Sequence, residues 1–150
     1  MHKRLFAALL VLVASTSVAL ADDPAAKVSL EGTWLLTSAT TPAGDKIPDD
    51  LIDLLKGKVT FAKDGTYEQG AFGKKVESGK YKIDADKKPA TIDLEPADGQ
   101  NAGKKQLGIF QVEGDKLTLA YSPAGRGERP KDFENARAAE ISTYKRAQKE

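Results

Sequence analysis

From Leu30 onward, apolar and polar residues alternate in short runs separated by turn chemistry, the pattern of an all-β meander. A first strand is predicted over Gly32–Thr40. Thr41-Pro42-Ala43-Gly44-Asp45 then turns the chain, and Pro48 opens a short helix, Asp49–Leu55. That helix has acids in its first turn, apolar residues at 51, 52, 54 and 55, and Gly57 behind it. Further strands are predicted over Lys58–Ala62, Thr66–Phe72, Val76–Asp84, Thr91–Glu95, Gln106–Glu113, Lys116–Tyr121 and Ala139–Arg146. Asp64-Gly65, between two extended runs, is a strong hairpin signal. Gly79, Tyr81 and Ile83 share one face of their strand and Ser78, Lys80 and Lys82 the other. Ile92 and Leu94 point inward in the next, as do Leu117, Leu119 and Tyr121 further on. Eight strands with mostly hairpin links predict a closed antiparallel up-and-down barrel, because closure removes exposed strand edges. The helix is expected to act as a lid or plug over one barrel end, its apolar face buried.

Ahead of this pattern stands a different segment. Met1-His2-Lys3-Arg4 is basic, Leu5 to Val13 is apolar without interruption, and Ala19-Leu20-Ala21 ends it with small residues. This is the three-part form of a secretory signal peptide. Its apolar core falls short of the roughly 20 residues that span a bilayer, and no cysteine follows for lipid attachment. The expected organisation is a signal peptide over 1–21, a flexible leader over 22–29, a barrel domain over 30–147 and a charged tail over 148–150. The mature protein is expected to be exported, periplasmic or extracellular, without stable membrane insertion.

Composition narrows the chemistry. Cleavage after Ala21 takes 150 residues to 129 and 23 basic residues to 21 against 22 acidic, a net charge of −1. This gives no electrostatic case for nucleic acid. The chain has no cysteine, and its only histidine and only methionine, His2 and Met1, leave with the signal peptide. The mature domain therefore has no disulfide, no thiol nucleophile, no imidazole, and no His- or Cys-ligated metal or cofactor site. No cofactor is expected, and the reading is non-enzymatic.

Gly32-Thr33-Trp34 on the first strand resembles the Gly-x-Trp signature of lipocalins. Further blocks follow: Gly79-Lys80-Tyr81-Lys82-Ile83-Asp84, Lys88-Pro89-Ala90-Thr91-Ile92-Asp93-Leu94, Leu107-Gly108-Ile109-Phe110, Glu113-Gly114-Asp115-Lys116-Leu117, and Arg129-Pro130 with Phe133. In that order, from Leu30 to about Lys145, the chain resembles a family of small exported lipocalin-like domains of unknown function, numerous in planctomycete-type bacteria. The resemblance implies a lipocalin-like barrel and an extracytoplasmic location, and no activity. Gly32, Trp34 and Arg146 are its structural signature: lipocalins often pack a basic residue of the last strand over the tryptophan, a part open here to Lys145 or Arg146.

Candidate sites follow from the inward faces. Were the barrel hollow, Leu36, Phe61, Tyr81, Ile92, Leu94, Leu119 and Tyr121 would meet a small apolar or amphipathic ligand. Trp34 is read as a core plug at the closed end rather than a stacking platform. Tyr81 and Tyr121 are either ligand donors or core tyrosines with satisfied hydroxyls. Arg126, Arg129 and Arg137 lie in or beside the long Ser122–Asn135 loop. They would suit a carboxylate or phosphate, whereas the plainer reading has Arg129-Pro130 fixing a turn. Asp49, Asp50 and Asp53 do not fit an EF-hand, and the glycines fit neither a P-loop nor a Rossmann pattern. Three functions remain in view, in this order: a carrier of a small hydrophobic ligand, an envelope protein-interaction or inhibitor module with a filled core, and last an enzyme relying on carboxylates and tyrosine.

Overall fold

The computed structural model describes residues 28–134 and 139–148. The expected signal peptide, most of the leader and Arg137 lie outside the described residues. Eight strands close into one antiparallel barrel: β1 (Gly32–Thr40), β2 (Lys58–Phe61), β3 (Thr66–Ala71), β4 (Lys74–Asp84), β5 (Ala90–Pro96), β6 (Gln106–Glu113), β7 (Lys116–Tyr121) and β8 (Glu140–Arg146). Each pairs with the next in sequence, and β8 returns to β1. A single short helix, α1 (Asp49–Leu55), lies between β1 and β2. The fold is the predicted eight-stranded up-and-down barrel with one helix after the first strand.

Local chemistry explains the hairpins. At the β2–β3 turn Gly65 takes φ +84°, and the Asp64 carboxylate accepts hydrogen bonds from the Thr66 amide (3.0 Å) and hydroxyl (2.6 Å). Those bonds hold the Asp64 carboxyl below its ordinary pKa. The β3–β4 turn is Phe72-Gly73, with φ of 53° and 75°. Two consecutive positive values make the mirror-image turn that suits strand twist, but Asn and Gly are its usual occupants. Gly79 on β4 is required by close approach, since a Cβ there would lie 2.2 Å from the Glu95 carbonyl oxygen.

The strand directions give the barrel two unlike ends. At the base lie the start of β1, the β2–β3, β4–β5 and β6–β7 turns and the end of β8. At the mouth lie α1, the β3–β4 turn, the 97–105 loop and the segment after β7. The base is plugged. Trp34 is fully buried, its Nε1 donates to the Leu30 carbonyl (2.8 Å), and the Arg146 guanidinium stacks 4.0 Å from the ring centroid. Arg146 also donates to the Glu31 carbonyl (3.0 Å). Arg146 rather than Lys145 therefore covers the tryptophan, because Lys145 falls in the outward phase of β8 and is exposed.

At the mouth the helix buries less of its apolar face than expected. Only Ile52 of α1 is buried, while Leu51 and Leu54 are 46% and 62% exposed. The helix ends at Lys56, in the left-handed conformation, whose N–H donates to Ile52 (3.2 Å). Gly57 then passes against Leu36, where a Cβ would meet the Leu36 side chain at 2.8 Å. One buried leucine-sized anchor is all that a two-turn helix can place against the barrel from that hinge. Leu51 and Leu54 stay exposed and Leu55 is half-buried.

Candidate functional site

The seven apolar and aromatic candidates, Leu36, Phe61, Tyr81, Ile92, Leu94, Leu119 and Tyr121, belong to one contiguous cluster with Trp34, Phe110, Leu117 and Tyr144. Neighbouring side chains of the cluster touch: Phe61 meets Tyr81 edge-on with centroids 4.9 Å apart, and Phe61 and Tyr67 are 6.5 Å apart. Tyr81 sits toward the base and donates its hydroxyl to the Ala62 carbonyl (2.9 Å). Tyr121 sits toward the mouth and donates to Glu140 (3.1 Å).

Arg129 is elsewhere. Its guanidinium lies on the outer wall over β5 and β6, donating to the carbonyls of Ile92 (3.1 Å) and Gly108 (2.7 Å) and to the Asp93 carboxylate (2.6 Å). Asp93 is also 3.4 Å from Lys105. The guanidinium is thus committed to three acceptors and ties the β7–β8 connection to the wall. Arg126 is exposed.

Two polar clusters occupy the mouthward half of the interior, and sequence reading singled out only Tyr121 among them. On one wall, buried Glu77 accepts from the Tyr67 hydroxyl (2.8 Å) and from the Asn101 amide (2.8 Å). Burial first, and then the bond to Glu77, push the Tyr67 phenol far above its ordinary pKa. On the opposite wall Glu140 accepts from Tyr121 and from Ser142 (3.4 Å). Burial raises both Tyr121 and Tyr144, the latter to about 12. The raised phenols stay neutral at physiological pH, and those of Tyr67 and Tyr121 serve as donors to the two carboxylates. The inward phase of Glu77 and Glu140 was readable from the alternation. Their tyrosine partners come from strand register and were not.

A third network fastens the 97–105 loop. Asp98 accepts from Lys75 (2.8 Å), the Ser78 hydroxyl (2.8 Å) and the Ser78 amide. The Lys75 bond foremost, followed by those of Ser78, holds its carboxyl down to about 2.

Three cavities lined by described residues open outward. The first, about 450 Å³, lies at the mouth between the β1–α1 connection, α1 and the β3–β4 turn, walled by Ile47, Pro48, Leu51, Leu54, Leu55 and Phe72. Thr41, Asp45 and Lys46 complete its rim, and Lys46 pairs with Asp49 (2.8 Å). The Phe72 amide donates to the Leu55 carbonyl (2.6 Å), fixing the turn against the helix. A second cavity of about 620 Å³ lies at the base beside Leu30, Tyr81 and Ile83. A third, about 540 Å³, runs over β2 to β4 and is lined by mixed residues including Thr60, Glu68, Ser78 and Lys80.

The chain matches no protein-family model and no curated protein. Among the described residues no helix is long and apolar enough to cross a membrane.

Proposed function

We propose that this protein is an exported, non-enzymatic binding module of lipocalin-like form, whose site for a small apolar or amphipathic molecule is the mouth cleft rather than the barrel interior. The exported address rests on the signal-peptide pattern of residues 1–21, and the family reading on the Gly32-Thr33-Trp34 block and those after it. One observation carries the site: an apolar cleft of about 450 Å³ left open beside α1 and Phe72. Its volume lies within the range of small-molecule sites, roughly 300–1,000 Å³. The packed cluster inside the barrel favours this outer location over the interior.

A second reading, an envelope protein partner at the same cleft, is favoured by the walls themselves. Leu54 and Phe72 are 62% and 60% exposed, and apolar side chains standing that far out mark association surfaces.

Native mass spectrometry of gently purified protein, followed by solvent extraction, tests the site. A bound apolar molecule is expected, and the double variant Leu51→Gln, Leu54→Gln is expected to release it. Stability should change by no more than about 0.5 kcal/mol per exposed position. A ligand retained by that variant would move the site elsewhere. A bare wild-type protein that still binds no lipid or dye would favour the protein partner.

A further inference from the structure

The cavity at the base has a chemistry the mouth cleft lacks. Val28, Tyr81 and Ile83 supply apolar surface, while Glu31, Asp84 and Asp86 supply carboxylates from two separate segments, the lead-in to β1 and the β4–β5 turn. Among the described residues no basic side chain lines it; Lys63, Lys87 and Lys88 of the neighbouring turns lie outside the lining. Among the described residues none of the three carboxylates takes part in an ion pair, whereas Asp49, Asp93, Glu95, Asp98 and Asp115 all do.

We infer that this cavity binds an amphipathic organic cation, an amine or quaternary ammonium on an aliphatic chain, with the chain against Tyr81 and Ile83 and the charge among Glu31, Asp84 and Asp86. Its volume of about 620 Å³ admits a chain as well as a head group. The carboxylates are dispersed around the lining, and no group of three acidic or histidine side chains among the described residues is gathered closely enough to hold a metal ion. A diffuse charge suits a bulky ammonium, which is satisfied by surrounding negative potential rather than by tight coordination. The Tyr81 phenol is raised by burial and then by the charges of Glu31 and Asp64, so the negative field reaches the apolar floor. Its hydroxyl proton is spent on the Ala62 carbonyl, leaving the ring face to a chain or a cation. This site is independent of the mouth cleft in residues, position and charge.

Two probes with the same tail and opposite heads test it: dodecyltrimethylammonium and dodecyl sulfate, each titrated below micelle formation at low salt while backbone amide resonances are followed. The ammonium probe is expected to shift amides at 28–31, 65 and 81–86 and to bind about tenfold more tightly than the sulfate. That preference fits surface carboxylates that each contribute about two- to fivefold. The triple variant Glu31→Gln, Asp84→Asn, Asp86→Asn preserves shape, and these side chains are exposed or on turns, so folding should be unaffected. It is expected to lose the head-group preference while keeping the weaker, tail-driven affinity. Equal affinity for both probes, shifts centred on α1 and Phe72, absence of binding, or a preference surviving in the triple variant would each overturn the assignment. Binding that appears only after removal of residues 22–27 would make that leader, with Lys27, the occupant and would overturn it too.

Discussion

The base and the mouth of this barrel use the same kinds of residue to opposite ends. At the base a tryptophan is buried completely, hydrogen-bonded to Leu30 and covered by Arg146. At the mouth a phenylalanine occupies a left-handed turn position and is 60% exposed. Large apolar area stabilises the fold only where neighbours remove it from water. The contrast separates residues kept for the fold from residues the fold does not need, and the second set is where binding is proposed.

The contrast can be broken most forcefully at Trp34. Trp34→Ala is expected to destabilise the protein by about 3–5 kcal/mol, read from denaturant unfolding followed by circular dichroism. A loss below about 1 kcal/mol would show that the base is not the organising plug. Removing its cover should matter less: Arg146→Ala is expected to cost about 1–2 kcal/mol and to alter Trp34 fluorescence. Lys145→Ala, on the outer phase, should change neither quantity.

At the mouth the sign reverses. Phe72→Asn places a residue that tolerates the left-handed region in the same turn and should raise stability by up to about 1 kcal/mol while weakening binding at the cleft. A destabilised variant would mean that Phe72 contributes packing to the fold.

The smallest effect concerns the loop beside the mouth. The Asp98 carboxyl is held down to about 2 from an ordinary 3.8, so its contribution is complete above about 4 and is lost as pH falls through 2. Hydrogen exchange at the Ser78 amide, which donates to Asp98, should accelerate over that window beyond the intrinsic rate. In Asp98→Asn the window should disappear.

Much of this architecture is legible in the chain because its rules are local. Period-two alternation and turns such as Asp64-Gly65 locate the strands, and β1, α1, β6 and β7 begin and end where the pattern places them. The β3–β4 hairpin departs from its expectation. A register shift at Gln69/Gly70 moves the reversal to Phe72-Gly73, so Lys74 and Lys75 start β4 instead of forming the turn. Nothing local announces an aromatic residue at a left-handed position. The orientation of α1 was also hidden. Apolar residues at 51, 52, 54 and 55 cover more than half of a seven-residue helix, and a pattern that broad does not say which side meets the barrel. The interior carboxylates show a similar limit. Parity puts Glu77 and Glu140 inside, but only assembled strands reveal that Tyr67 and Tyr121 satisfy them.

The return of β8 to β1 has a consequence for how the molecule assembles and fails. Seven of the eight strand pairings join sequence neighbours, and one joins opposite ends of the chain, such as Trp34 to Arg146 and Thr40 to Ile141. The first seven can form by successive hairpins at small loop-closure cost, whereas the last must wait for the sheet to curl. That single seam is interrupted by a bulge between Leu36 and Ser38 and fastened at its basal end by the stacked arginine. Until it zips, two unpaired edges face the solvent, open to strands of other molecules. Trp34 and Arg146 are therefore also the clasp that takes those edges out of circulation.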